Sequence, residues 1–385
     1  PISVMVLALI AGSGLSFIKN CKALQGNVGS VLCAVKRKSY GEVAFVSAIA
    51  ALFFLAHNNP LLYSIPVLIL TLADSSAALV GIFLGKHRFT TSDGTKTAEG
   101  SLAFLVTTMI ATAVPLLLFS TLNPLNILLI SFLLGGLVMM FEATSWRGLD
   151  NFLIPLSSFF LLAIYMTLDV TALVTRVIVA ATLLAFCLIW RKRTTLHDGA
   201  AIGAALACYA STAFGGIEWL LAPLTVFTLY KFAIPQQYQS MPRIHSVRAV
   251  VTVASVGLTW LLASKLTGNQ DFLFPYTLSF ASNFAIISSA HLQQSQGESA
   301  GKKAGQLVGT TVVTWLMFFL PYLAISGWSL EHLQACGMAL PLIGLSTAIF
   351  HSMRPPQAEA LTSNSRWARQ FSIAACVSQL ALVHF

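Results

Sequence analysis

Apolar stretches long enough to cross a lipid bilayer follow one another along almost the whole chain. Only 9% of the residues are charged and 56% are hydrophobic, whereas soluble domains are about 25% charged. A soluble fold of this length cannot bury so much apolar surface, but lipid can cover it when helices satisfy the backbone polar groups internally. The sequence therefore predicts an all-α, polytopic integral membrane protein.

Hydropathy gives fourteen candidate spans, and we expect about 13–14 transmembrane helices. The chain begins at Pro1 rather than at Met, inside an apolar run, so we expect that native residues precede it. The candidates are residues 2–17, 42–57, 61–84, 101–121, 124–142, 152–168, 170–190, 198–214, 217–234, 247–265, 272–290, 305–326, 334–352 and 370–385.

The distribution of basic residues supports this topology. If the spans alternate in direction, all but two of the 22 Lys and Arg residues fall on one side, the exceptions being Arg176 and Lys265. Basic loops mark the cytoplasmic side of a membrane protein. We therefore expect this side of the protein to face the cytoplasm, in a bacterial inner membrane or an organelle membrane. The net charge of +9 is explained in this way, and we expect no nucleic-acid partner.

The chain has a seam after its seventh candidate span. Arg191-Lys192-Arg193 ends the first block of spans, and the turn Thr194 to Gly199 opens the second. We therefore predict one membrane domain over residues 1–190 and another over residues 191–385. The six cysteines show no CxxC or zinc-like spacing, so we expect them to act as small apolar residues or free thiols.

One apolar stretch carries an acid among small residues. Asp74, Ala77, Gly81 and Gly85 are spaced by three, four and four positions, which places them on one face of a helix. Small residues at this spacing suit a helix-packing seam. An acid within a membrane span is costly and usually functional, although charge pairing at the membrane interface is the simpler alternative.

A polar loop follows that stretch, from Lys86 to Ser101. Its lysines, arginine, hydroxyl groups and glycines can surround a polyphosphate, and Glu99 can reach a magnesium ion. Each residue of the loop alone is weak evidence for phosphate binding. The ordered set, together with the preceding acid, is much stronger evidence.

The combined pattern resembles the CTP-binding signature of the polyprenol kinase family, which includes dolichol, phytol and farnesol kinases. Flanking elements at residues 37–42, 141–143 and 148–155 resemble the same family, so that the likeness covers about residues 30–165. Thr95 stands where dolichol kinases often carry a lysine, and the spacer before Lys96 is one residue longer. The matching residues are Asp74, Ala77, Gly81, Gly85, Lys96, Thr97, Glu99, Gly100 and Ser101.

The resemblance implies CTP-dependent phosphorylation of an isoprenoid alcohol, such as phytol, farnesol, geranylgeraniol or dolichol, at the cytoplasmic face. It implies that Asp74 and Glu99 hold Mg²⁺, and that Glu142 or Asp150 accepts the proton of the alcohol. The implied nucleotide site comprises Ala77, Gly81, Gly85, Lys86, Lys96, Thr97, Glu99, Gly100 and Ser101, with Arg37 and Lys38 as auxiliary phosphate contacts. The expected partners are CTP, the alcohol and membrane lipid; the sequence identifies no protein partner.

The second half is less specific. Residues 195–216 resemble the start of the membrane family containing phytyl-phosphate kinase, but Ser279 to Ala285 lacks the acids that this family carries further on. We therefore expect a degenerate or structural domain that packs or holds a lipid product, and no second phosphotransferase.

Two other functions fit parts of the pattern. A cytidylyltransferase acting on a lipid phosphate would also use CTP, but it would release pyrophosphate and form a CDP-lipid. A multi-pass transporter would place polar residues and broken helices near mid-membrane in matched halves, whereas here the charges gather at one face.

Overall fold

The computed structural model describes residues 10, 14, 40–57, 59–230, 245–292, 300–353 and 363–384. Apart from one two-stranded hairpin, the elements in these ranges are helices. Within these ranges, seven helices are long and apolar enough to cross a bilayer. The protein is therefore an all-α, polytopic membrane protein, as its composition predicts.

The first part of the described chain consists of helices and one β-hairpin. A π-helical turn, Ile69–Ala73, joins the helices Pro60–Leu68 and Asp74–Phe83 and makes Pro60–Phe83 one continuous span. The elements are α1 (Gly41–Leu55), α2 (Pro60–Leu68), α3 (Asp74–Phe83), β1 (Arg88–Thr91), β2 (Gly94–Thr97), α4 (Ala98–Phe119), α5 (Pro124–Thr144), α6 (Asp150–Tyr165) and α7 (Val170–Trp190).

The remaining helices follow a short 3₁₀ turn, Arg191–Arg193. They are α8 (Asp198–Ala210), which a second π-helical turn extends over Ser211–Gly215, α9 (Ile217–Leu229), α10 (Val247–Thr267), α11 (Leu273–Leu292), α12 (Ala300–Ser326), α13 (Leu330–Met353) and α14 (Asn364–Leu380).

The helices coincide with the predicted spans. Each candidate from residue 42 onward overlaps one of them, whereas the candidate at residues 2–17 falls largely outside the described residues. Large apolar side chains point outward, including Ile82, Phe83 and Phe119, which are each at least three-quarters exposed. Such a surface is stable only where lipid covers it.

The chain divides into two compact units, Pro1–Thr182 and Leu183–Phe385. The division falls inside α7, before the seam that we predicted at residue 190. In the second unit α11 is the central helix; it packs against α10, α12, α13 and α14. Phe274, Tyr276 and Phe280 are fully buried on it.

Hydrogen bonds within the first unit follow the predicted alternation of the spans. Tyr40 N donates to the Arg147 carbonyl at 2.9 Å, and Asn151 Nδ2 donates to the Gly41 carbonyl at 3.1 Å. The Asp93 carboxylate accepts from Arg147 N. Three basic connections therefore meet at one end of this unit, which we call the basic end of the first unit.

The second unit shows the same arrangement. His197 N donates to the His245 carbonyl at 2.9 Å, and Arg248 Nη1 donates to Asn364 Oδ1 at 2.7 Å. The segments before α8, α10 and α14 therefore meet at one end of the second unit.

Candidate functional site

The predicted polar loop is an ordered β-hairpin. Arg88 pairs with Thr97 and Thr91 pairs with Gly94 across β1 and β2. Gly94 has a φ of +136°, in a region that favours glycine. The register leaves Ser92 and Asp93 as the two turn residues, one position before the Asp-Gly pair that is the usual hairpin signal. The segment predicted as a polar loop is therefore a hairpin.

The hairpin is anchored to the connection between α5 and α6. Asp93, at its tip, accepts a hydrogen bond from Arg147 N, and Arg147 itself has a φ of +56°. This anchor brings strand β2 alongside the end of α5 and places the Lys96 side chain among the acids of that region.

Lys96 and Glu142 form an ion pair. Lys96 Nζ contacts the Glu142 carboxylate and donates to the Glu142 carbonyl at 2.7 Å. The two side chains are 25% and 9% exposed, so water screens the pair weakly. A predicted phosphate ligand and a predicted proton acceptor are thus held against each other.

Asp74 lies close to this pair. It is half-buried at the start of α3, immediately after the π-helical turn, and its carboxylate interacts electrostatically with Asp150, Glu142 and Lys96. π-Helical turns change which way the following side chains point, and Pro66 in α2 precedes this one. Asp74 is therefore within electrostatic range of Asp150, Glu142 and Lys96, and Lys96 is paired with Glu142; we call these four residues the acid–lysine cluster.

Asp150 is the acid of the cluster at a helix start. It is the first residue of α6, and its Oδ1 accepts from Asn151 N at 3.1 Å. Acidic side chains are favourable in the first turn of a helix, where the backbone N–H groups point outward.

Glu99 is not part of the acid–lysine cluster. Its carboxylate lies 2.6 Å from His87 Nδ1 and accepts from His87 N at 3.2 Å. The neighbouring Gly100 packs beside Gly81, which is about 10 Å along α3 from Asp74 at a rise of 1.5 Å per residue. The structure does not bring together the predicted magnesium pair, Asp74 and Glu99.

The signature glycines form a contact between α3 and α4. A Cβ at Gly100 would lie 2.8 Å from the Ala77 carbonyl oxygen, and one at Gly81 would lie 3.1 Å from Thr97 Oγ1. A Cβ at Gly85 would also meet Thr97. Thr97 caps α4 by accepting from Gly100 N at 3.2 Å. In this structure these small residues act as a packing seam, the alternative weighed from their spacing.

The remaining predicted nucleotide residues differ in accessibility. Lys86 is exposed next to the hairpin, and Ser101 is half-buried in the first turn of α4. Arg37 and Lys38 lie outside the described residues. The sequence did not single out His87, the partner of Glu99; a lone histidine in a polar loop gave no signal for it.

The donor chemistry of the acid–lysine cluster suits Mg²⁺, which commonly uses one or two protein carboxylates together with phosphate oxygens and water. Among the residues that the structure describes, no three His, Cys, Asp or Glu side chains are arranged to hold a metal ion by themselves. The carboxylates therefore fit a metal that arrives with a phosphate-bearing substrate better than a resident structural metal.

Comparison of the chain with known protein families, curated proteins and solved structures found no match. Its function must therefore be argued from its own residues.

Proposed function

We propose that this protein phosphorylates an isoprenoid alcohol with CTP as the phosphoryl donor, at the basic end of the first unit. The acid–lysine cluster carries the proposal: three acids and a lysine distant in sequence lie together, partly buried, beside an anchored hairpin. Their order along the chain, together with the resemblance to the polyprenol kinases, favours CTP and a lipid alcohol.

Phosphoryl transfer depends mainly on positioning and on charge neutralisation. Exposed Lys86 and Arg88 beside the hairpin attract the triphosphate from water. Lys96 would exchange its contact with Glu142 for a phosphate oxygen. Asp74 and the freed Glu142 would hold Mg²⁺, which supplies positive charge to the phosphates.

The acceptor alcohol approaches from the lipid. Its apolar tail remains in the lipid against exposed apolar side chains such as Leu72, two residues before Asp74, while its hydroxyl group reaches the cluster. We assign Asp150 as the proton acceptor, because Asp74 and Glu142 would hold Mg²⁺ and Asp150 is the remaining acid of the cluster.

The test uses the purified chain in lipid vesicles with γ-labelled CTP and a panel of phytol, farnesol, geranylgeraniol and dolichol. The proposal expects a labelled lipid monophosphate and CDP, and no product from Asp74→Asn. Asp169→Asn is the matched control, since Asp169 is exposed and its side chain only caps α7 by accepting from Ala172 N at 2.9 Å. Formation of a CDP-lipid with pyrophosphate would instead show a cytidylyltransferase, and absence of any lipid product would overturn both.

A further inference from the structure

We infer that the outward face of the span Pro60–Phe83 binds the acceptor alcohol before phosphoryl transfer, and that Thr71 and Ser75 accept the hydrogen bond of its hydroxyl group. This inference rests on the proposed function, because it assigns the route by which the alcohol reaches Asp74. It gives a positioning role to two residues that are not among the matching positions of the signature.

Helix α3 lies at the edge of the first unit, and none of its ten residues is buried. One side of it packs against α4 through the glycine seam and through Ser76, whose hydroxyl oxygen lies 2.8 Å from that of Thr107. The seam closes this side to a lipid chain. We therefore place the route from the lipid on the other, outward side of the helix.

The outward side carries two hydroxyl groups beside Asp74. Thr71 and Ser75 are exposed, and the apolar side chains near them, Leu72 and Leu79, are 50% and 57% exposed. Residues three and four positions apart share a face of a helix, which puts Thr71 about one turn from both Asp74 and Ser75. We call Thr71 and Ser75 the hydroxyl pair.

Both hydroxyl groups of the pair can still accept a hydrogen bond. Ser75 Oγ donates to the Thr71 carbonyl at 2.7 Å, and Thr71 Oγ1 donates to the Val67 carbonyl at 2.9 Å. A hydroxyl group has one donor and two acceptor lone pairs, so each oxygen keeps acceptor capacity after its proton is used. These bonds hold the pair at the π-helical turn Ile69–Ala73, and such turns are frequent at functional sites.

A lipid alcohol needs what the hydroxyl pair offers. Thr71 lies midway along the 24-residue span, where lipid tails accept no hydrogen bond and an unpaired hydroxyl group is costly. A primary alcohol has one O–H group, which the pair can accept while the apolar tail lies against Leu72 and Leu79. CTP and the lipid monophosphate carry charges that this depth disfavours, so the pair selects the acceptor over the donor and the product.

The kinetic test uses the full chain in lipid vesicles with varied farnesol and saturating CTP. The double variant Thr71→Val with Ser75→Ala removes both oxygen atoms at nearly constant size. We expect the KM for farnesol to rise about tenfold, as for the loss of one or two hydrogen bonds. The kcat and the KM for CTP should change less than about twofold, because only binding of the alcohol is weakened.

Thr175→Val is the matched control. Thr175 is exposed and donates to the Thr171 carbonyl at 2.9 Å, which is the local arrangement of Ser75, but it lies on α7 rather than on α3. Its kinetic constants should equal those of the wild type. Size-exclusion chromatography and thermal unfolding identify a double variant that fails to fold, in which case Ser75→Ala alone takes its place.

Binding is measured separately, without CTP, by photo-cross-linking a farnesol analogue that carries a diazirine next to the hydroxyl-bearing carbon. The label should map between residues 67 and 83. Unlabelled farnesol should prevent labelling, whereas farnesyl methyl ether, with the same tail but no O–H group, should compete at least about fivefold more weakly.

Unchanged KM in the folded double variant, an equal rise in Thr175→Val, or equal competition by the ether would overturn the role of the hydroxyl pair. If the wild type forms no lipid monophosphate but is still labelled between residues 67 and 83, the kinase proposal fails and the alcohol site stands. If lipid monophosphate forms but labelling maps elsewhere, the alcohol site fails and the kinase proposal stands. Neither product nor specific labelling would overturn both.

Discussion

At the scale of single residues, Lys96 has two roles that an experiment can separate. Lys96→Ala leaves the Glu142 carboxylate, 9% exposed, without its ammonium partner. Removing one partner of a buried pair costs about 3–5 kcal/mol, and the 25% exposure of Lys96 places the expected loss at or below the lower end. We expect a lower Tm in detergent together with loss of kinase activity.

The double variant Lys96→Met with Glu142→Leu provides the control. Replacing a buried pair by apolar residues of similar volume is often neutral or stabilising, so its Tm should return towards that of the wild type. Its activity should remain absent, because the phosphate contact is gone. Kinase activity in this double variant would contradict the role of Lys96 in catalysis.

A second prediction compares Asp150 with Glu99. Asp150→Asn should lower kcat about 10²-fold or more, as expected for loss of a proton acceptor. Glu99→Gln should lower it less than about tenfold, because Glu99 lies with His87, away from the acid–lysine cluster. Initial rates at saturating CTP and alcohol provide the measurement. The reverse order would restore the role for Glu99 that the family resemblance implies.

The sequence identified the acids more reliably than their partners. Asp74 stood out because an acid in an apolar helix is costly. The contact of Lys96 with Glu142 joins residues far apart in the chain, and no local pattern encodes it. We predicted that Asp74 and Glu99 share a metal because they belong to one signature. In the structure Asp74 begins α3, whereas Glu99 lies near the other end of α3.

At the scale of elements, the seam between α3 and α4 can be tested with two glycines. Gly100→Ala places a Cβ 2.8 Å from the backbone oxygen of Ala77, which cannot move without shifting the helix. Overpacking of this kind costs about 1–3 kcal/mol. Gly136→Ala in α5 meets nothing within 4 Å and should be neutral or slightly stabilising, since alanine favours helix. Equal Tm values for the two variants would show that the seam does not contribute to stability.

The elements also show where local sequence is informative. Asn59 and Asn123 cap α2 and α5, with Pro60 and Pro124 following them, and such caps are readable in advance. The hairpin was less readable, because Ser92 and Asp93 form its turn rather than the Asp93-Gly94 pair. The π-helical turn Ile69–Ala73 was not, because its residues are ordinary helix formers in a membrane and packing determines the turn.

At the scale of the whole molecule, hydropathy predicted the helices because a helix that crosses a bilayer needs an apolar stretch of about 20 residues. Boundaries were less predictable. The compact units separate within α7 at Thr182, whereas charge and turn residues indicated residue 190. Contacts between helices determine that division, and a run of apolar residues does not reveal which neighbour each face contacts.

The topology itself is the last prediction, and each unit can be tested separately. Helix α4 has 22 residues and is about 33 Å long at 1.5 Å per residue, enough to cross a hydrocarbon core of about 30 Å. In a cysteine-free background, Thr95→Cys and Thr121→Cys flank this helix and should react with a membrane-impermeant maleimide from opposite sides of sealed vesicles.

In the second unit Thr194→Cys and Asn269→Cys should also react from opposite sides, because the segment before α8 contacts that before α10 and Asn269 follows α10 at its other end. Thr95→Cys should react from the cytoplasmic side, where basic loops collect. Labelling of Thr95→Cys and Thr121→Cys from the same side would show that α4 does not cross the membrane, and the acid–lysine cluster would then lose its assigned face.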